Sequence, residues 1–514
     1  MKSKLKKILM LMLVVALCFV SIVSIVGCGG TDYDNIIDGG DDGDIAGDID
    51  PEDDGSDING GTKKIYITVA DCPSSQNGIN RWYVARQEAF RKQYGENIEL
   101  KTIQDPTAGG DDIKGFESVV NTLTPSDAPT LLPVPGNNTA RTIAMTGLIQ
   151  DYTPYVSFYK DYEDINEDAL NSLTIDGKLY GMPTSIDVPM LGFSVKVLRQ
   201  IAVDKYTDKD YPDATERNAL RAQFVQDMTD EIMAIKTWED YKEVAKQLTT
   251  TTISGAGVWV SSYHLGFGVW HAANGWGMAE QNADGSIALD FANESALKTF
   301  EFFRELKKEG IYTLQPESTL NELFGKIFED QVASFLFYPS WYASWFSGNG
   351  FSSSDIITIP FPQGPTSLAN GDDPSNLVFA SSYVLSKHAT PDEAKAAVKY
   401  LQFMYGKDAW EARFNYALQE NIVDIMVPTL DSVSMDPVYE ILPDSWETAL
   451  NNGRQNGFYI TVNSEAYMTA LTTYLPRYVN EAYYPTLEDV AQSLREQQEV
   501  AIRENTVVKY VPKN

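Results

Sequence analysis

Ile65, Ile67 and Val69 alternate with Tyr66 and Thr68. That period of two predicts a strand with one face buried. Trp82, Ala85, Ala89 and Phe90 then recur at helical spacing. Asn97–Lys101 predicts a second strand, and the apolar run Leu131–Val134, just after Ala128-Pro129, a third. Strands alternating with helical stretches predict a parallel sheet with crossover helices.

Further along, helix starts are written in the capping residues. Thr237-Trp238-Glu239-Asp240 reads as a capping box ahead of Tyr241, Val244, Ala245 and Leu248 on one face. Thr390-Pro391-Asp392-Glu393 combines an N-cap Thr, Pro at the first helical position and Glu at the third. Its buried stripe is Ala394, Ala397, Val398, Leu401 and Tyr405, and Ala296, Leu297, Phe300, Phe303 and Leu306 make another. Strands are expected at Met190–Val195, Val332–Phe337, Ile356–Phe361 and Leu377–Leu385. No repeat of solenoid period is visible.

The N-terminus follows a different rule. Lys2, Lys4, Lys6 and Lys7 precede an almost wholly apolar run, Ile8–Val26, the pattern of a secretory signal, so export is expected. Ile25-Val26-Gly27-Cys28 resembles a bacterial lipobox. That resemblance implies cleavage before Cys28 and a diacylglycerol on its thiol, with two or more acyl chains giving stable anchoring. Cys18 leaves with the leader, Cys72 remains as the one unmodified thiol, and no intrachain disulfide is expected.

Between Gly29 and Thr62 stand twelve acids and no Lys or Arg. Such a segment has too little apolar surface to fold and is expected to be a self-repelling tether. Calcium binding by an EF-hand-like loop over Asp50–Gly61 is the alternative, with Gly61 standing where the bidentate Glu belongs. Of the net charge of −32, the residues beyond the leader lysines and these acids carry −24. A body that acidic argues against nucleic acid as a partner.

The order of several segments resembles the extracellular solute-binding proteins of ABC importers, family 1, which bind carbohydrates as maltose-binding protein does. The segments are Ala128–Leu132, Gly147–Pro154, Gly177–Pro183, Lys236–Asp240, Phe328–Ala333, Pro339-Ser340-Trp341 and Ile359–Pro365. The resemblance implies an α/β, two-lobed fold of type II periplasmic-binding-protein kind, with a hinge and an interlobe cleft. Its expected divisions are a signal peptide over 1–27, a tether over 28–62, lobe one over 63–183 and 377–430, and lobe two over 184–376. A mostly helical C-terminal part over 431–514 is expected largely on lobe two. Crossings are expected near Thr184–Pro189, near Asn376–Ser382 and after Pro428. The implied partners are a carbohydrate, ABC permease subunits and the membrane through its lipid anchor. The expected state is a monomer on the extracellular face, without a cofactor.

In open parallel sheets ligands lie beyond the carboxyl ends of strands. That rule draws attention to Asp71, Ser74 and Ser75 after the first strand and to Pro135–Asn138 after the third. These residue types bond sugar hydroxyls, and they are equally ordinary turn residues. By position, Asp71, Asn138 and Asp187 match ligand-contacting sites of the family, with Asn138 where some members carry Asp; Asn137 stands beside it. Aromatic rings pack on the C–H faces of sugars. Two clusters supply them: Trp259, Tyr263, Phe267, Trp270 and Trp276, then Tyr338, Trp341, Tyr342 and Trp345. Core packing explains most of these rings; Trp341, Trp270 and Tyr263 are taken as ligand-facing, with Tyr459 on a C-terminal lid.

Enzyme readings lack support in the sequence. His264, His271 and His388 are the only histidines and sit in no metal motif. There is no G-x-S-x-G elbow and no P-loop. A surface glycoside hydrolase needs two spaced carboxylates, which 72 acids supply without specificity. A binding protein is expected, with a sugar sensor for a membrane kinase as the alternative on the same fold.

Overall fold

The computed structural model describes residues 64–70, 78–103, 128–134, 143–144, 147–258, 266–275, 277–282, 286–315, 319–340, 342–372, 376–423, 425–455, 457–458, 473–480, 486–504 and 510–513. The leader, Cys28 and the acidic stretch lie outside them.

Sheet one is built on β1 (Ile65–Val69), β2 (Ile98–Thr102) and β3 (Leu131–Val134). β1 pairs in parallel with β2 from Ile65 opposite Ile98 to Val69 opposite Thr102, and with β3 at Val69 opposite Leu131. Three antiparallel strands complete it: β4 (Met182–Asp187), β12 (Phe379–Leu385) and β13 (Val427–Pro428), in the order β13-β4-β12-β3-β1-β2. The β4–β12 register shifts at Thr184, whose hydroxyl donates to the Ser381 carbonyl. Helices α1 (Ile79–Tyr94), α7 (Pro391–Tyr405) and α8 (Lys407–Glu420) pack around this sheet. Trp82 and Phe90, expected from periodicity, are buried, as are Ala394, Ala397, Val398, Leu401 and Tyr405.

Sheet two holds β5 (Met190–Ser194), β6 (Ser254–Gly257), β9 (Val332–Phe337) and β10 (Ile356–Ile359), in the order β10-β5-β9-β6. β5 runs antiparallel to β9 and β10, while β6 is parallel to β9. Around it lie α2 (Val195–Lys205), α3 (Trp238–Gln247), α4 (Phe267–Ala273), α5 (Glu294–Lys308) and α6 (Leu320–Phe328). The Thr237–Asp240 and Thr390–Glu393 capping boxes both form, each satisfying orphan N–H groups at a helix start. A small third sheet joins β7 (Ala279–Gln281) and β8 (Ile287–Leu289) to β15 (Tyr510–Pro512).

The chain passes from sheet one to sheet two between Asp187 and Met190. Residues 184–187 therefore belong to sheet one, beyond the expected boundary at 183, because β12 and β13 pair with them. Residues just past 430 also stay with lobe one. Ile165 bridges Leu430, the Asp431 N–H donates to the Asp164 carbonyl, and α9 (Asp436–Tyr439) packs on α8. Beyond it come α10 (Asp444–Gln455), β14 (Gly457–Phe458) and α11 (Leu487–Glu504). β14 pairs in parallel with β11 (Asn376–Leu377).

Candidate functional site at the facing edges of two sheets

Strand direction fixes which loops converge. β1 and β3 both end at the edge of sheet one where β4 ends and β12 begins, since Ser382 stands opposite Val134 and Phe379 opposite Asp187. In sheet two, β9 ends opposite Met190, the first residue after the crossing, and β6 runs the same way. The carboxyl ends of the core strands in both sheets thus meet around one crossing. In open α/β sheets this edge is where ligands bind.

Asp187 sits at that junction as the last residue of β4. Burial pushes its carboxyl up to about 6, while the hydroxyls of Ser340 and Ser381 pull it back by favouring the charge. Ser340 follows β9 in lobe two and Ser381 lies on β12 in lobe one, so groups from both lobes surround one carboxylate. The Ser340 hydroxyl is close enough to stabilise that charge without completing a well-formed hydrogen bond. The hydroxyl of Ser185, two residues back on β4 and opposite Ser381, is buried without a partner. Unsatisfied buried hydroxyls are uncommon, and this one lies beside the carboxylate that both lobes surround. Tyr338 lies against the same spot; burial first, then the Tyr342 ring and the Asp187 charge, hold its phenol protonated.

Of the residues expected to touch ligand, Asp187 is the one placed at this junction. Trp270 is corrected. It is 2 % exposed, with its ring among Tyr241 (4.9 Å between centroids), Phe302 (5.3 Å) and Phe361 (5.3 Å) in the core between α3, α4 and α5. A ring enclosed by other rings has no face left for a sugar. Phe267, Tyr338 and Tyr342 are likewise buried, whereas Trp345 is exposed and leans on Phe324 at 4.1 Å. Asp71, Asn137, Asn138, Tyr263, Trp341 and Tyr459 lie outside the described residues. Ser340 and Ser381 were missed as individuals, although Pro339-Ser340-Trp341 and the Asn376–Ser382 crossing had marked their segments.

Among the described residues no group of three His, Cys, Asp or Glu is arranged to hold a metal. None of their helices is long and apolar enough to cross a membrane.

Two lobes with strand ends facing across shared crossings define a binding protein of the periplasmic type. Residues 85–439 match the family described as bacterial extracellular solute-binding protein, and the chain belongs to it. A galactooligosaccharide-binding protein of Bacillus subtilis is 21 % identical over 354 residues, covering 68 % of this chain and 70 % of that protein. Among solved structures, the GacH receptor of Streptomyces glaucescens, determined unliganded and with acarbose, aligns with a TM-score of 0.60 at 13 % identity. That alignment covers 86 % of this chain and 100 % of the receptor. The maltose-binding protein of Listeria monocytogenes in complex with maltose gives 0.60 at 13 %, covering 87 % and 99 %. At such identities the likeness shows the shared two-lobed fold.

Proposed function

We propose that the protein captures a carbohydrate of oligosaccharide size between its lobes and delivers it to the permease of an ABC importer. It does so as a monomer outside the cell, held at the membrane by a lipid on Cys28. The observation that carries this reading is the convergence of core-strand ends from both sheets on Asp187, in a chain that belongs to the extracellular solute-binding family. The relatives named above that bind galactooligosaccharide, acarbose and maltose support a saccharide over a peptide or polyamine. Asp71, Asn137, Asn138 and Asp187 supply polar contacts to hydroxyls, and Trp341, Tyr263 and Tyr459 supply rings. Hinge closure then buries the ligand between lobes.

The test is calorimetric titration of the exported chain with galacto-, malto- and chito-oligosaccharides. Saturable binding of one series is expected, and Trp341→Ala should weaken it more than about tenfold, within the range of a lost stacking contact. Binding of a peptide or polyamine with silence across the saccharides overturns the reading.

A further inference from the structure

Helix α10 meets the first and third connections between the lobes, and the short strand that follows it, β14, meets the second. The helix is rooted in lobe two: Trp446 Nε1 donates to the Ile356 carbonyl (3.0 Å), the Thr358 N–H donates to Ser445 Oγ (3.3 Å), and the Trp446 ring lies 4.9 Å from Phe337. Its other contacts reach lobe one. The Tyr439 hydroxyl of α9 donates to Asn451 Oδ1 (2.7 Å). On the last turn, Arg454 Nη2 donates to the carbonyls of Leu430 (2.6 Å) and Asp431 (3.1 Å), and Nη1 to that of Val433 (3.2 Å). One guanidinium therefore gathers three backbone carbonyls of the segment that leaves lobe one.

Gly453 accounts for the first crossing. It is buried against Val188, midway between β4 and β5, and a Cβ built at 453 would overlap Val188 Cγ1. Val188 is short and stiff at χ1, so it has little room to move aside. Just after this turn, β14 pairs with β11 at the second crossing.

We propose that the Gly453 notch and the Arg454 clasp set the balance between the open and closed arrangements of the lobes, and so tune ligand affinity from residues that touch no ligand. Rotation of one lobe on the other changes the backbone at Val188 and moves residues 430–433 relative to α10. A helix fixed to lobe two that holds both cannot be indifferent to that rotation. Gly453 and Arg454 are positioning residues, and each lobe arrangement is weighted by how well it fits them. The affinity part of this proposal rests on the saccharide-binding reading; the hinge part does not.

The test measures the interlobe distance directly. Nitroxide labels are placed at Glu411→Cys on α8 and Glu301→Cys on α5, both exposed, in the exported chain carrying Cys28→Ser and Cys72→Ser. Pulsed dipolar spectroscopy without ligand is compared for the parent, Gly453→Val, Gly453→Ala, Arg454→Ala and Arg454→Lys. Titration with a galactooligosaccharide and a maltooligosaccharide accompanies it. The expected result is a shifted distance distribution in Gly453→Val and Arg454→Ala, with affinity changed about fivefold or more. Arg454→Lys, which keeps a donor for the carbonyls, should return towards the parent. An unchanged distribution in folded variants overturns the proposal, as does a shifted distribution with unchanged affinity. Should Gly453→Val fail to fold, Gly453→Ala and Arg454→Ala decide. Should neither saccharide bind the parent, the saccharide reading fails while the distance measurement still decides the hinge.

Discussion

Asp187 sits where burial and charge oppose each other, and that has a consequence for stability. Its ordinary pKa is near 4, and in the folded chain burial raises it to about 6. Below both values the group is protonated in folded and unfolded states, and it costs nothing. As pH climbs from about 4 to 6, the unfolded chain releases the proton while the folded chain keeps it, so stability falls. Above 6 the cost is complete, at most roughly 3 kcal/mol for a two-unit shift, because the half-buried side chain keeps some contact with solvent. Asp187→Asn should therefore raise the melting temperature at pH 7.5 and leave it nearly unchanged at pH 4. A gain of equal size at both pH values would mean that the carboxyl is not held as described. Ligand hydroxyls that donate to this carboxylate favour its charged form, so parent affinity should weaken as pH drops below about 6. The residue was legible in the sequence only as a position matching a family pattern. Its place beside Ser381 comes from strand pairing between distant parts of the chain, Asp187 opposite Phe379 and Ser185 opposite Ser381, which no local pattern contains.

At the scale of elements the sequence was read more fully, because caps and periodicity are local signals. β3 spans the residues expected, and the strand expected at Ile356–Phe361 stops at Ile359. Both capping boxes form from the residues named for them. What local pattern does not carry is which element a ring faces. Trp270 shares a chain segment with Tyr263 and Trp276, and an aromatic-rich run looks the same whether it lines a cleft or fills a core. Here α4 is buried along its whole length, and Trp270 is the ring that locks it against α3 and α5. Trp270→Ala should cost about 3–5 kcal/mol of stability, the usual range for emptying a buried Trp site. Saccharide affinity at a temperature where the variant is folded should stay near that of the parent. A loss of binding with little loss of stability would return the ring to the ligand.

At the scale of the molecule, charge decides how the body relates to a membrane. The chain beyond residue 62 carries −24, and the twelve acids before it add to the same sign. Bilayers rich in anionic lipid repel such a body, whereas peripheral proteins that adsorb by charge need clustered Lys and Arg. Among the described residues no helix spans a bilayer either. In the reading proposed above, a covalent lipid on Cys28 holds the protein at the surface, with the acidic stretch standing between that residue and the lobes in the sequence. Cys28→Ser in the full-length chain, expressed in a cell that processes lipoproteins, should move the protein out of the washed-membrane fraction. The released chain should keep the saccharide affinity of the anchored one, since the tether lies outside both lobes in sequence. Raising salt should not return it to membranes, because screening removes a repulsion without creating an attraction. If the variant stays with the membranes through a salt wash, the leader remains as an uncleaved anchor, and the thiol is not what holds the protein there.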